Sequence, residues 1–255
     1  MNDQTRKAEQ FQTLHIPGKP LILFNIWDAG SAKAVAAAGA PAIATGSWSV
    51  AKANGSEDGE HLPLAVAIDN LRRIVKATDL PVTVDLESGY GETAARVGET
   101  ISMAISAGAI GCNLEDSFPT DSTLRPAADQ ADRIRAARRA ADAANIRFFI
   151  NARTDIFFEP TAKAPDEAMV DAAIARGRAY AEAGANGLFV PGLDNIALID
   201  RLVRASPLPV NVMVSATTPP RDELARSGIA RLSHGPGPYL LAMKALEEAA
   251  RRAIG

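Results

Sequence analysis

Features that would mark a secreted, membrane-bound or disulfide-linked protein are missing from this chain. Cys112 is the only cysteine, so no disulfide can form within the chain, and this fits a reducing compartment. No apolar run approaches the roughly 18 residues that a membrane-spanning helix needs. The polar stretch 1–12 lacks the apolar core of a signal peptide. We therefore expect a cytoplasmic protein with no membrane partner.

The chain also lacks an excess of charge of one sign. Its 27 Lys and Arg residues stand against 30 Asp and Glu residues, and the basic ones are spread along helical patterns. A basic surface is the mark of nucleic-acid binding, so no nucleic-acid partner is expected. At 255 residues the chain can bury a large core, and no Pro/Ser-rich linker divides it. We predict a single domain over residues 1–255.

Glycines punctuate the chain at regular intervals. The tripeptide Ala-Gly-Ala precedes a short apolar run at 38–40, 107–109 and 183–185, and Ser227-Gly228-Ile229 is a weaker copy. Each instance is typical of a helix that ends at a glycine and is followed by a buried strand. Counting also the runs that no glycine precedes, eight short apolar runs occur, near residues 21, 42, 82, 110, 148, 187, 209 and 230. Eight alternations of strand and helix predict an α/β fold of the (β/α)8 TIM-barrel type.

An open, doubly wound sheet is the alternative fold, but no Gly-x-Gly-x-x-Gly follows the first strand. The C-terminal segment 239–254 reads as a long amphipathic helix with Leu240, Leu241 and Leu246 on it. This helix would either close the barrel or pack on a partner subunit.

Polar and charged residues follow the predicted strands, at the ends that converge on one face of such a barrel. They are Asn25, Trp27, Asp28, Thr45, Gly46, Ser47, Trp48, Asp85, Glu87, Glu115, Asp116, Asn151, Arg153, Asp155, Asn211, Ser233 and His234. Carboxylates suit a hard cation such as Mg²⁺, and a guanidinium suits a carboxylate. The set predicts a site where a small anion is held between a metal and an arginine.

Individual residues of this set have simpler explanations. Asp85 could cap a helix or form an ion pair, and Arg153 could merely neutralise Asp155 or Glu115. Trp48 could be a packing residue, and His234 precedes a Gly-Pro-Gly-Pro turn. The coincidence of acids and an arginine on one face is what favours a functional site.

Several motifs, in the order of the chain, resemble those of the isocitrate lyase and phosphoenolpyruvate mutase superfamily. The resemblance rests on Phe24–Ala32, Thr45–Trp48, the segment Gly55–Glu60, Asp85-Leu86-Glu87-Ser88-Gly89-Tyr90-Gly91, Leu114-Glu115-Asp116 and Asn151–Asp155. It implies a (β/α)8 barrel that uses Mg²⁺, with Mn²⁺ as an alternative, and acts on a small 2-oxo acid or phosphonate. It also implies a homodimer or homotetramer in which the last helix is exchanged.

The resemblance assigns roles to individual residues. Asp85 would bind the metal directly, and Glu87 and Glu115 would hold metal-bound waters. Asp58 would lie on a mobile gating loop at the position of the family's catalytic aspartate, with Arg153 and Glu115 as further catalytic residues. The substrate would meet backbone donors at Gly46, Ser47 and Trp48, and we add Asn211 and Ser233 as binding residues from their strand-end positions.

The chain departs from the family in the loop after the fourth strand. The Lys-x-Cys-Gly-His motif of the isocitrate and methylisocitrate lyases is replaced here by the segment 115–122, with Thr120 nearest to the lysine. The mutase histidine at the sixth strand is replaced by Val190-Pro191-Gly192. We therefore predict a Mg²⁺-dependent lyase or decarboxylase that cleaves a C–C bond beside a 2-oxo acid or enolpyruvate unit through an enolate. Mutase or phosphonopyruvate hydrolase chemistry is one alternative, and a non-catalytic barrel that binds 2-oxo acids is another.

Overall fold

Eight parallel strands form the centre of the protein in a computed structural model, which describes residues 3–158 and 164–255. The strands are β1 (Leu21–Leu23), β2 (Ile43–Ala44), β3 (Val82–Asp85), β4 (Gly111–Glu115), β5 (Phe149–Arg153), β6 (Gly187–Phe189), β7 (Val210–Met213) and β8 (Arg231–Ser233). They are hydrogen-bonded in the order β1-β8-β7-β6-β5-β4-β3-β2. Of the range 1–255 predicted as one domain, residues 1–2 and 159–163 lie outside the described residues.

A single bridge closes the sheet between its first and last strands. Ile26, just beyond β1, pairs with Thr45, just beyond β2. Its amide donates to the Ala44 carbonyl at 2.8 Å, and its own carbonyl accepts from the Gly46 amide at 3.2 Å. The sheet is therefore a closed barrel, and the predicted (β/α)8 fold is confirmed. All eight predicted strands are present.

Helices alternate with the strands and cover the barrel. They are α1 (Asp3–Thr13), α2 (Ala29–Ala37), α3 (Ser47–Ala53), α4 (Leu64–Lys76), α5 (Ala94–Ser106), α6 (Ala127–Ala143), α7 (Glu167–Glu182), α8 (Ile196–Ala205), α9 (Arg221–Arg226) and α10 (Gly237–Ile254). Side-chain caps begin four of them, at Asp28, Thr93, Asp166 and Asn195. None of the described helices is long and apolar enough to cross a membrane.

Helix α1 was not predicted, because its sequence is mostly polar. It buries Ala8 and Phe11, and the Phe11 ring lies edge-on to Phe149 of β5 at 5.4 Å between centroids. His15, which follows α1, stacks on the same Phe149 ring at 4.0 Å. A few apolar contacts thus hold the helix against the barrel.

The predicted C-terminal helix is present as α10, and most of its apolar face is open. Leu240, Leu241 and Leu246 are 51%, 64% and 63% exposed, and among its residues only Pro238 is buried. Single exposed leucines are common, but three within seven residues of one helix leave apolar surface that a second subunit could cover. The packing of α10 on a partner subunit stays a prediction.

Candidate active site

A small cavity of about 130 Å³ opens where the strands end at their carboxyl termini. Its polar lining comes from Asn25, Ser47, Asp58, Asp85, Asn113, Arg153 and Ser233, and its apolar lining includes Trp48, Phe158, Phe189, Met213 and Pro236. Sites for drug-sized ligands span roughly 300–1,000 Å³. The cavity therefore suits a molecule of only a few heavy atoms.

The predicted site residues separate into two groups. Gly46, Ser47, Trp48, Asp58, Asp85, Arg153 and Ser233 line the cavity. Glu87, Glu115 and Asn211 do not line it, and each is hydrogen-bonded to a residue at its margin. The strand ends thus meet on one face as expected, but only part of the set points into the cavity.

Asp85 ends β3 with its carboxylate only weakly engaged. The amide of Ser47 approaches one carboxylate oxygen at 3.4 Å, and the amide of Glu87 approaches the other at 3.4 Å. The Asp85 amide is held by the Thr45 hydroxyl at 2.8 Å. The backbone is therefore fixed, while most lone pairs of the carboxylate stay available to a ligand.

The turn after β2 brings helix α3 to the cavity, with Gly46 as its N-cap residue. The Gly46 amide already donates to the Ile26 carbonyl, so it belongs to the barrel wall. The Trp48 ring lies edge-on to Tyr239 of α10 at 5.9 Å, which makes it a packing residue as well as a lining one. Among the three predicted backbone donors, Ser47 is the one whose amide points at Asp85.

Glu87 ties the loop between α3 and α4 to the barrel. One of its carboxylate oxygens accepts from the amides of Gly59 and Glu60 at 2.7 and 2.5 Å, and the other accepts from the Tyr90 hydroxyl at 2.9 Å. The side chain is buried, and burial, followed by the charge of Asp58, raises its pKa to about 7. Its backbone has a φ of 51°, a left-handed conformation that turns the chain after β3.

Asp58 lies on that same loop, exposed at the rim of the cavity. Neighbouring atoms remove water from around the Asp58 carboxylate, and this desolvation, followed by the negative charge of Asp85, raises the pKa of Asp58. A second tether holds the loop down, because the Glu60 carboxylate accepts from the Ser88 hydroxyl at 2.6 Å and the Tyr90 amide at 2.8 Å. The loop is therefore held in a closed position over β3.

Arg153 forms two ion pairs at the end of β5. Its Nε and Nη2 donate to the Asp155 carboxylate at 2.5 and 3.1 Å, and its Nη1 lies 2.8 Å from the Glu115 carboxylate. Burial alone would lower the pKa of Arg153, but the charges of Asp155, Glu115 and Asp85 outweigh it and raise the pKa. The neutralising role considered for this arginine is real, and the side chain faces the cavity all the same.

Glu115, at the end of β4, is a carboxyl of the same cluster, with 12% of its side chain exposed. Burial raises its pKa well above the ordinary value, and the charge of Arg153 offsets this only in part. The Ser117 hydroxyl contacts both Glu115 and Asp155, at 3.2 and 2.8 Å. Glu115 therefore contributes to the site by fixing Arg153.

Asp116 follows Glu115, but its carboxylate is hydrogen-bonded to residues of the scaffold and not to the site. Its carboxylate accepts from the Tyr180 hydroxyl at 2.6 Å, from Arg176 at 2.9 Å and from the Asp155 amide at 3.0 Å. These partners connect β4 to α7 and lie outside the cavity lining. The two acids at the end of β4 thus have different roles. Glu115 contacts Arg153 at the site, and Asp116 holds β4 to α7.

Asn211 and Ser233 are hydrogen-bonded to each other at 3.2 and 3.3 Å. Ser233 lines the cavity, whereas Asn211 lies behind it and is 1% exposed. His234 does not line the cavity; its ring packs against Phe24 at 5.1 Å, and its amide donates to Asn25. Asn211 can therefore reach a ligand only through Ser233.

Two residues beneath the cavity were not predicted from the sequence. Asn113 lies within the apolar run of β4, and Arg231 lies at the start of β8. Both are buried, and Asn113 lines the cavity. The period-2 alternation that places Ser233 inside the barrel also places Arg231 inside, and this signal could have identified it.

No ready-made cluster of three or more metal-binding side chains occurs within residues 3–158 and 164–255. Asp85 alone among the predicted metal residues lines the cavity. Its neighbours Asp58, Glu87 and Glu115 are near enough for their charges to interact with one another or with it. The donors are all oxygen atoms, which is the chemistry of a hard divalent cation that keeps several waters.

A comparison with known families decides what kind of barrel this is. The sequence matches the family described as phosphoenolpyruvate phosphomutase over residues 11–254. The chain belongs to this family. A 2-methylisocitrate lyase of Escherichia coli K12 is 30% identical over 242 residues, covering 86% of this chain and 78% of its own. An uncharacterized protein of Mycobacterium tuberculosis is 32% identical over 241 residues, covering 94% and 87%.

Solved structures of the family share the fold. A Burkholderia cenocepacia J2315 protein, provisionally described as a phosphonomutase, superposes with a TM-score of 0.95 at 60% identity over 98% of this chain and 99% of its own. A phosphonopyruvate hydrolase in complex with oxalate and Mg²⁺ superposes with a TM-score of 0.83 at 22% identity, over 96% and 86%. The predicted superfamily is confirmed, and with it an enzyme family that includes carbon–carbon lyases.

Proposed function

We propose that this protein is a Mg²⁺-dependent lyase or decarboxylase that cleaves a C–C bond beside the 2-oxo acid or enolpyruvate unit of a small acid. The observation that carries the proposal is one small cavity. Asp85 and Arg153 both face this cavity, and Asp58 lies at its rim. A carboxylate that can take a cation, and an arginine that keeps N–H groups for an anion beside its ion pairs, are what such a substrate requires.

The residues present fit the metal. Among the described residues, the Asp85 carboxylate accepts only two hydrogen bonds, both at 3.4 Å, so it would be the direct ligand. A carboxylate offers about four lone-pair sites; Glu87 uses three, for Gly59, Glu60 and Tyr90, and retains one for a metal-bound water. Bound Mg²⁺ would draw electron density from the substrate's oxygen atoms and so stabilise the charge of the enolate.

Arg153 would hold the substrate carboxylate. Its guanidinium has five N–H groups, and three of them are used by Asp155 and Glu115. The ion pairs fix the plane of the group, so the two remaining N–H groups are already oriented when an anion arrives. Binding then costs little further ordering of this side chain.

Asp58 would act from the loop. When the loop is held by Glu87 and Glu60, Asp58 lies at the cavity rim, where it can exclude water and exchange a proton with the substrate carbon. A protein that only binds oxo acids would not need an acid on a closing loop. This favours an enzyme over the non-catalytic barrel.

Phosphorus–carbon chemistry is the second candidate. The matching family description and the provisional description of the Burkholderia structure both favour it. The segment 115–122 carries no lysine, and Val190-Pro191-Gly192 carries no histidine, so two electrophilic groups that the resemblance implies for phosphoryl transfer are missing. We therefore rank this candidate below C–C cleavage.

A substrate screen in Mg²⁺ tests the proposal, with oxaloacetate, substituted malates, methylisocitrate and phosphonopyruvate as substrates and with pyruvate and phosphate as measured products. The Asp85→Asn variant should lose more than about 100-fold in kcat/KM, because loss of a metal's outer partners alone costs about 10–100-fold. The matched control Asp129→Asn, on the exposed face of α6, should keep full activity.

The products separate the candidates. Pyruvate formed without phosphate, from a substrate other than phosphonopyruvate, and lost in Asp85→Asn supports the lyase. Pyruvate and phosphate released together, from phosphonopyruvate alone, support the hydrolase alternative. Oxalate binding that requires Mg²⁺, without turnover of any compound, would indicate a binding protein. An enzyme equally active in Asp85→Asn or in EDTA would contradict the proposal.

A further inference from the structure

An arginine crosses the interior of the barrel beneath the cavity. Arg231, on β8, is 1% exposed, and its Nη2 donates to the side-chain oxygen of Asn113 on β4 at 3.2 Å. Its Nε donates to the Ser233 hydroxyl at 3.3 Å. Four steps separate β8 from β4 in the strand order, so the two strands lie on opposite sides of the barrel. The side chain therefore spans the core directly under two cavity-lining residues.

Arg231 keeps its charge without a carboxylate partner. Within residues 3–158 and 164–255 it forms no ion pair, and its Nη1 has no hydrogen-bond partner. Burial lowers the pKa of Arg231 to about 9, while the charge of Asp85 acts in the opposite direction. A buried cation without a counter-ion destabilises a fold. An uncompensated positive charge in this position would, however, attract an anion in the cavity above it.

Asn113 connects this charge to the cavity. Its side-chain oxygen accepts a hydrogen bond from Arg231 and another from the side-chain Nδ2 of Asn151, at 2.9 Å. Two donors on one oxygen fix which way the amide points, because its NH₂ group cannot face either of them. The Asn113 Nδ2 has no protein partner among the described residues, and the residue lines the cavity beside its β-ladder partner Asp85. The amide thus presents donors, not an acceptor, to a ligand.

We propose that Asn113 binds the substrate through its Nδ2 donors, and that Arg231 positions this amide and makes the cavity floor selective for a doubly charged anion. The inference rests on the proposed function, since it concerns the same cavity. Asn113 would contact an oxygen of the substrate, and Arg231 would act through Asn113 and through its field. The floor would thereby favour an acid with two negative charges over a monoanion, whether the charges belong to two carboxylates or to a carboxylate and a phosphonate.

Calorimetric binding of oxalate and oxamate, in saturating Mg²⁺, tests the inference without requiring turnover. The two probes have nearly the same shape, but oxalate carries two negative charges and oxamate one. Asn113→Ala should weaken the binding of both by about tenfold or more, which corresponds to about 1.4 kcal/mol. Arg231→Met should weaken the binding of oxalate by a similar factor and the binding of oxamate far less. The ratio of the oxalate affinity to the oxamate affinity should therefore fall.

Two further variants separate a positioning role from a structural one. Arg231→Lys keeps the charge and should restore most of the oxalate preference, even if affinity stays lower. Cys112→Ser alters the adjacent residue of β4, whose side chain belongs to the hydrophobic core, and should leave both affinities unchanged. If Arg231→Met does not fold, Asn113→Ala and Arg231→Lys still decide the question.

The result that would overturn the inference is distinct from failure of the proposed function. Equal weakening of oxalate and oxamate binding in Arg231→Met, or undiminished oxalate binding in Asn113→Ala, contradicts the inference whether or not the wild type turns over substrate. Absence of oxalate binding to the wild type also contradicts it. The substrate screen then decides independently whether the lyase proposal survives.

Discussion

Replacement of Glu87 by glutamine tests the electrostatics of the site most directly. The residue is 3% exposed, and burial, with the charge of Asp58 next in size, raises its pKa from the ordinary 4.5 to about 7. The folded protein thus keeps a proton that the unfolded chain releases between about pH 4.5 and 7. Each pH unit in this window costs the folded state about 1.4 kcal/mol, or about 3 kcal/mol in total.

Glutamine carries no charge at any pH, so Glu87→Gln escapes this cost. In metal-free protein, the wild type should lose about 3 kcal/mol in its free energy of unfolding relative to the variant as pH rises from 4.5 to 7.5. Weaker hydrogen bonds from Gly59, Glu60 and Tyr90 to the neutral side chain add an offset that does not vary with pH. The predicted quantity is therefore the slope and not the absolute difference.

Urea unfolding in EDTA, at steps of half a pH unit and followed by circular dichroism, measures this slope. Glu57→Gln is the matched control, because Glu57 lies on the same loop, exposed, and Lys52 lowers its pKa. The control should show no stabilisation relative to the wild type as pH rises. A constant difference between wild type and Glu87→Gln across the window would refute the reasoning.

Three further predictions concern other parts of the molecule. Arg153→Met leaves Glu115 and the buried Asp155 without their counter-ion and should cost about 3–5 kcal/mol in chemical denaturation, whereas Arg153→Lys should fold but lose most activity. Burial, and then the charge of Arg231, lowers the pKa of His15 to about 3, so below pH 6.5 the unfolded chain binds a proton that the folded protein does not. The free energy of unfolding should therefore fall by about 1.4 kcal/mol per pH unit between pH 6.5 and 3, and less steeply in His15→Phe. The protein should sediment as a dimer or tetramer, and Leu241→Glu, at an exposed leucine of α10, should shift it to smaller species.

The barrel could be predicted because its signals are local. Four of the eight strands follow a glycine that ends a helix, and these glycines, Gly39, Gly108, Gly184 and Gly228, adopt positive φ values that a side chain would resist. The closing bridge at Ile26 and Thr45 has no such signal, since it consists of one pair of residues outside the strands. Helix α1 was missed for a similar reason, because it buries few of its side chains.

The site could be predicted only as far as strand position determines it. Asp85 and Arg153 end their strands on the inner face and reach the cavity as expected. Glu87 lies after a left-handed turn that directs its carboxylate to the loop, and a residue pattern does not reveal that turn. Arg231 was missed because a charged residue inside a buried run is rare, and its partner Asn113 lies more than a hundred residues away in sequence.

The charges around the cavity couple the binding of a cation to the binding of an anion. Asp58 and Asp85 line it and Glu87 lies behind them, whereas the charge of Arg153 is already shared between Asp155 and Glu115. An anion alone would meet a net negative surrounding, relieved only by Arg231 beneath the floor. A divalent cation at Asp85 reverses this, so Mg²⁺ and oxalate should each strengthen the binding of the other.

This coupling must be reciprocal, because it is a single free energy. Titration of oxalate with and without Mg²⁺, and of Mg²⁺ with and without oxalate, should give the same factor, of about tenfold or more, for a coupling of 1–3 kcal/mol. Asp85→Asn should abolish the coupling, because it removes the ligand on which the cation depends. If oxalate binds as tightly in EDTA as in Mg²⁺, the arginines alone suffice for anion binding and the cation has no part in it.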